Sequence, residues 1–195
     1  IISSDPIGAT FTWTSLASDV NGEATSGTST IPAQTLTTTT TNAGSVTYSI
    51  IPTLDGCLGD AYDVTFTVNP IPTVNITNPD PVCEPNTIDL TNAAVTNGST
   101  HINTLKYFTA ADTLTSIANP SAIDKSDTYY IKGISSAGCE SVSPVTVTIN
   151  ALPTVEATGK GRCGEGSVEL TASATNAATI NWYDAPTGGN LLGSG

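Results

Sequence analysis

The chain has 195 residues, with 17 acidic and 5 basic side chains and a formal net charge of −12. That charge repels phosphate backbones and anionic lipid surfaces, so nucleic acid is excluded as a partner class. The sequence is rich in Thr, Ser, Asn and Val, has no Met, and contains no apolar run long enough for a membrane-spanning helix, so membrane insertion is not expected.

Taken in order, residues 9–15, 46–51 and 62–68 alternate with period two and predict strands. Residues 29–36 predict a weaker strand, placed at an edge by Pro32, while Asn21-Gly22, Ser26-Gly27 and the threonine run 37–41 predict turns or loops. A second set of strands is predicted at 74–77, 87–91, 105–108, 128–134 and 145–149, with turns at Asn97-Gly98, Asn119-Pro120 and Ala137-Gly138. A third set follows at 153–157, 167–171 and 179–184, and residues 172–178 predict a loop despite their alanines. Helical periodicity is absent throughout, which predicts an all-β chain of antiparallel sandwiches.

The stretch 64–74, Val-Thr-Phe-Thr-Val-Asn-Pro-Ile-Pro-Thr-Val, recurs almost letter for letter at 145–155, 81 residues later. Each copy is a strand, a Pro-containing joint and the start of another strand, so the pair marks two domain junctions. The expected division is a sandwich over 1–71 that is incomplete at its N-terminus, a complete one over 72–151, and the first half of another over 152–195. The chain is thus expected to be an interior piece of a longer linear array, whose first partners are the neighbouring repeats of the same polypeptide.

The four cysteines fall into two classes when registered on the repeat. Cys83 and Cys163 follow a junction at similar distances, whereas Cys57 and Cys139 each follow a strand tyrosine, Tyr48 and Tyr130. With no Cys-x-x-Cys pair, the pattern favours disulfides in an oxidising compartment over metal or redox chemistry. The expected pairing is Cys83 with Cys139, leaving Cys57 and Cys163 to partners outside the chain; the rival is Cys57 with Cys163. Closing the Cys83–Cys139 loop would stabilise a small domain by about 4 kcal/mol in the chain-entropy account.

At these residues the chain resembles the tandem PKD-like and immunoglobulin-like repeats of giant cell-surface adhesins of Bacteroidota. The first unit resembles the PKD-like repeat through the residues 5–13, the Tyr48 strand, Asp55-Gly-Cys57 and the closing strand 64–70. The later units resemble the related Ig-like repeats through Pro81-Val-Cys83, Gly138-Cys139 and the 182–189 motif Trp-Tyr-Asp-Ala-Pro-Thr-Gly-Gly. Such arrays occur in SprB-type gliding-motility adhesins and other large products of type IX secretion. The resemblance implies extracellular display on a bacterial cell surface and a role as a semi-rigid stalk in adhesion or gliding motility. Alternatives are a glycan- or protein-binding module and an accessory array of a secreted enzyme. The middle unit has Lys106-Tyr-Phe where the others carry Trp, so Tyr107 or Phe108 is expected to fill its core.

Trp13, Trp182, Tyr48 and Tyr130 are expected to pack in cores, the tyrosines with their hydroxyls bonded near a domain end. His101 is the only histidine and stands alone, which supports neither a metal site nor a catalytic triad, and no Gly-x-Ser-x-Gly elbow is present. No catalytic residue and no cofactor is therefore assigned, apart from a structural Ca²⁺ that Asp55, Asp60, Asp63, Asp80 and Glu84 would hold if they converged at the first junction. Asn75 and Asn97 head N-glycosylation tripeptides, and Asp112-Thr113-Leu114 resembles the O-glycosylation signal of the same bacterial phylum. Any glycan or other surface ligand is expected to be bound by other regions of the polypeptide.

Overall fold

The computed structural model describes residues 8–176 and 178–195, and the described residues hold strands, turns and bends but no helix. The opening Asp5-Pro-Ile motif and Ala177 lie outside the described residues.

In the first unit, β1 (Thr10–Ser18), β2 (Val20–Asn21), β3 (Ser26–Thr28), β4 (Thr37–Thr38), β5 (Gly44–Leu54), β6 (Cys57–Leu58) and β7 (Tyr62–Val68) follow one another. The central strand β5 pairs antiparallel with β1, β7 and β6, β1 also pairs β3, and β2 with β4 forms a second small sheet. Strict alternation along β5 buries Val46, Tyr48 and Ile50, which with Trp13 and Val20 make one core. Trp13 meets Tyr48 edge-on at 5.8 Å between ring centroids. The Tyr48 hydroxyl donates to Gln34 Oε1 at 2.8 Å, and the same oxygen accepts from the Ala24 amide, pinning the irregular 29–36 segment.

Two expectations fail here. Residues 29–36 form no strand, and Ser26-Gly27, read as a turn, makes up the first two residues of β3. Gly27 lies directly opposite Trp13, and a Cβ there would come within 2.4 Å of the indole ring. The glycine makes room for the ring and does not turn the chain.

The middle unit contains β8 (Val82–Cys83), β9 (Thr104–Phe108), β10 (Asp127–Ile134), β11 (Glu140–Val147) and β12 (Ile149–Asn150). β9, β10 and β11 form an antiparallel sheet, and β8 pairs parallel with β12. The opposing layer is largely irregular. The expected strands at 74–77 and 87–91 reduce to single bridges, Thr73 with Thr100 and Ile88 with Ile123. Its apolar residues still point inward: Val74, Ile88, Leu90, Val95 and Ile123 join Tyr129, Ile131, Val145 and Val147 in a second core.

β10 corrects the tyrosine register by one residue. Tyr129, not Tyr130, is buried, and its hydroxyl donates to the Lys125 carbonyl at 3.1 Å. Burial, followed by the nearby Asp127 and Asp124 carboxylates, raises its pKa above the ordinary tyrosine value. Tyr107 packs against the core in the place held by Trp in the other units, whereas Phe108 is covered on the outer face beneath Lys132, whose Nζ lies 6.0 Å from the ring centre.

The third unit contains two hairpins, β13 (Val155–Thr158) with β14 (Thr171–Ala174) and β15 (Asn181–Tyr183) with β16 (Leu191–Ser194). β14 starts where the strand at 167–171 was expected to end and occupies the first part of the expected 172–178 loop. Its buried-side alternation is served by small residues, which composition alone reads as a loop. Asp184 clamps the turn of the second hairpin, accepting from the Asn190 amide at 2.7 Å and from its side chain at 3.0 Å. Those hydrogen bonds lower the Asp184 pKa.

Candidate functional site

The two junctions are the places where the sequence repeats and where the units meet. At the first, β7 ends at Val68 and Thr73 already bridges Thr100 of the middle unit, so only residues 69–72 connect them. Pro72 within this joint is fully buried. At the second, Asn150 pairs in β12 of the middle unit while the Thr154 amide donates to Thr175 Oγ1 of the third at 2.9 Å, leaving residues 151–153 between. Joints this short, stiffened by proline, restrict rotation about few bonds.

A cleft of about 370 Å³ opens at the first junction. One wall comes from Thr41, Asn42, Ala43, Asn69 and Pro70, the other from His101, Ile102, Asn103 and Ser135 to Ala137. His101 has a left-handed backbone (φ 59°), and the Asn103 amide donates to the Ile134 carbonyl, so the second wall is tied to the tip of the β10–β11 hairpin. The lining mixes amide, hydroxyl and imidazole groups with the apolar Ala43, Pro70, Ile102 and Ala137, and has no carboxylate and no Tyr, Trp or Phe platform. Such a surface suits hydrated contact between two units better than acid–base chemistry.

The five carboxylates expected to converge at this junction are not brought together. β5 runs from the junction at Gly44 to the opposite pole of its unit, where Asp55 (φ 52°) and Gly56 (φ 81°) form the tight turn into β6. Asp63 faces Ser49 part-way along the same sheet. Asp80 and Glu84 belong to the segment around β8, and the Glu84 amide donates to the Asn150 carbonyl beside the second junction. Among the described residues no group of three His, Cys, Asp or Glu side chains is arranged to hold a metal ion. The spacing error is physical: a strand carries its two ends roughly 30 Å apart in ten residues at about 3.3 Å each, so the acids of 55–63 lie up the sheet from the junction they precede and far from Asp80 and Glu84.

The expected Cys83–Cys139 bond also fails. All four cysteines are free thiols. Cys139 lies in the turn between β10 and β11, where its amide donates to Ser135 Oγ at 3.0 Å, close to the first junction. Cys83 pairs with Asn150 at the second junction. The length of β11 and β12 separates them, on the order of 30 Å, whereas a disulfide requires Cα atoms within about 7 Å. Cys57 sits at the far pole of the first unit and Cys163 in an exposed loop of the third, and these too are unpaired.

The remaining expected positions are accessible to different degrees. The Asn75 side chain is exposed but donates to the Gly98 carbonyl at 2.7 Å, and Asn97 is exposed in a turn. Thr113 has φ 56° at the tip of a turn closed by the Leu114 amide donating to Asp112 Oδ1, with Leu114 itself 82% exposed. Trp13 is buried, with its indole nitrogen unpartnered, and Trp182 is half-buried.

Comparison with known families agrees with this architecture. Residues 2–72 match the family model described as a PKD-like domain, and residues 150–195 match that described as Ig-like domain CHU_C associated. No curated protein matches the chain. The described chain is all-β with several antiparallel sheets, and the PKD-like and Ig-like matches at its two ends fit a β-sandwich array. Domains of these two kinds are typically non-catalytic modules.

Proposed function

We propose that the chain is a spacer segment of a long bacterial cell-surface adhesin or filament, in which sandwich units stacked through short Pro-containing joints form a semi-rigid stalk that serves adhesion or gliding motility. The observation that carries this reading is the pair of junctions: each strand that closes one unit passes within a few residues into a bond that opens the next. The family matches at both ends of the chain support repeat architecture, and the second links it to Bacteroidota. Disulfide staples within units are not part of the proposal, since all four thiols are free.

The mechanism is mechanical. Antiparallel ladders such as β1–β5–β7 hold a unit together laterally, and the buried Pro72 joint resists bending, so force applied at one end is transmitted along the array. The rival reading, a glycan-binding module, would be favoured by an aromatic platform lining a cleft; the junction cleft has none and Trp13 is in a core, while the exposed Tyr62 and Phe66 of β7 and Tyr183 of β15 lie outside that cleft.

Antibody raised against this chain and applied to intact, unpermeabilised cells of the source organism tests the placement. Labelling of intact cells, lost after mild surface proteolysis, is the expected outcome. Labelling that requires lysis contradicts it.

A further inference from the structure

The loop between the repeated Pro-Thr-Val and the cysteine that follows it carries acid in the middle unit and base in the third. Asp80 precedes Cys83, whereas Lys160 and Arg162 precede Cys163. Those two are among only five basic residues in the chain. Both are exposed, and so are Asp80, Cys83 and Glu84 in the middle unit, whose core is closed by β10 and β11, so exposure belongs to the loop's position in the repeat. Glycines leave the basic loop uncrowded: a Cβ at Gly159, Gly161 or Gly164 would meet nothing within 4 Å.

The acidic loop borders a groove of about 410 Å³ on the middle unit. The Thr77 amide donates to the Val95 carbonyl at 2.9 Å and closes one end. Beyond it the two segments part, because the Val82 amide turns to the Thr148 carbonyl and the Ile88 amide to the Ile123 carbonyl. Val82, Ile88 and Val95 give the groove an apolar floor, and Asp80 and Asp89 add carboxylates to its lining. Asp89 Oδ1 accepts from the Thr91 amide and hydroxyl, which fixes the carboxylate and leaves Oδ2 without a partner among the described residues. The one ion pair among the described residues joins Lys132 to Glu140, so neither Asp80 nor Asp89 is neutralised within the chain. Such a groove matches a long basic side chain, whose methylenes lie on the floor while the charged head meets the acids.

We propose that this groove binds the Lys160-Gly161-Arg162 loop of a second copy of the chain, so that copies associate side by side with a stagger of one repeat. A copy displaced by one repeat sets its third unit beside its neighbour's middle unit and brings the two equivalent loops to the same level. The contact is heterologous, loop to groove, so it does not close on a pair and continues from copy to copy. Each contact is weak alone and gains by repetition. A net charge of −12 opposes indiscriminate association, which leaves the opposite-charge pairing to set partner and register. The proposal rests on the repeat architecture and not on cell-surface placement, so it and the antibody test fail separately.

The test is carbodiimide coupling of amines to carboxylates in a mixture of isotope-labelled and unlabelled full chains, at roughly millimolar concentration, where a contact of this weakness is populated. Peptide mapping is expected to find Lys160 joined to Asp80 or Asp89 in mixed-isotope pairs. Sedimentation equilibrium reads the association itself. Asp80→Lys combined with Asp89→Asn, the asparagine keeping the oxygen that Thr91 uses, is expected to weaken association about fivefold or more, even though lost acid lowers the overall repulsion. Asp60→Lys, at an exposed position of the first unit, is expected not to weaken it. Lys160→Glu combined with Arg162→Glu should weaken it as strongly, and mixing the two multiple variants should restore it, because an intact groove then meets an intact loop. Three results each overturn the proposal: no Lys160 link in mixed-isotope pairs, links confined to one isotope, which would place the loop in its own chain's groove, or a mixture that fails to restore association.

Discussion

Trp13 shows how far single residues could be read. Its place in an alternating strand marks it as a core residue, and it is 3% exposed, but its nearest constraint, Gly27, lies 14 residues on and carries no local mark beyond a Ser-Gly pair that looks like a turn. The glycine is needed because the partner strand passes directly under the indole, a relation set by strand pairing and invisible to local pattern. Gly27→Val should therefore destabilise the first unit by about 1–3 kcal/mol through overpacking. Denaturant unfolding followed by Trp fluorescence checks this, with Leu16→Ala at a 78% exposed site as a near-neutral comparison. The tyrosine slip has a similar origin: Tyr129 and Tyr130 are adjacent, one must point inward, and only the pairing of β10 with β9 and β11 decides which.

At the scale of elements, the long central strands β5, β7, β9 and β10 were legible because alternation and β-branched content agree there. The layer opposite β9–β11 was not, since residues 74–95 bury Val74, Ile88 and Leu90 from irregular backbone held by isolated bridges and Asx-type turns such as Asp89 Oδ1 accepting from the Thr91 amide. The cysteines fell to the same limit: the repeat sorts them into two classes, but only the topology shows that Cys83 and Cys139 occupy opposite poles of the middle unit. Both Cys83 and Cys139 should thus react with a maleimide reagent in the native, unreduced chain, and peptide mapping without reduction should find no Cys83–Cys139 link. A recovered link would mean that β8 is misplaced relative to the hairpin tip. The candidate calcium set is the companion case, because acids clustered in sequence around 55–63 are carried along a sheet away from the junction they precede.

The whole molecule was legible as an array from one repeated stretch, since a strand, a proline joint and a new strand recurring at domain length have few other meanings. How the units abut was not legible, because the cleft walls at the first junction are loop residues of mixed polarity with no periodicity. Stiffness is the central claim, and the native cysteines offer a direct ruler. Cys57 and Cys83 are both exposed, one at the outer pole of the first unit and the other at the outer pole of the second. Spin labels at these two sites, with Cys139→Ser and Cys163→Ser removing the others, report the distance across the first junction by double electron–electron resonance. The lengths of β5 and of β11 with β12, laid end to end, predict a single narrow distance of roughly 60–70 Å at about 3.3 Å per residue. Replacing residues 69–72 with a glycine–serine run should broaden it. A broad distribution already present in the unmodified joint, or a population well below that length, would contradict the semi-rigid stalk.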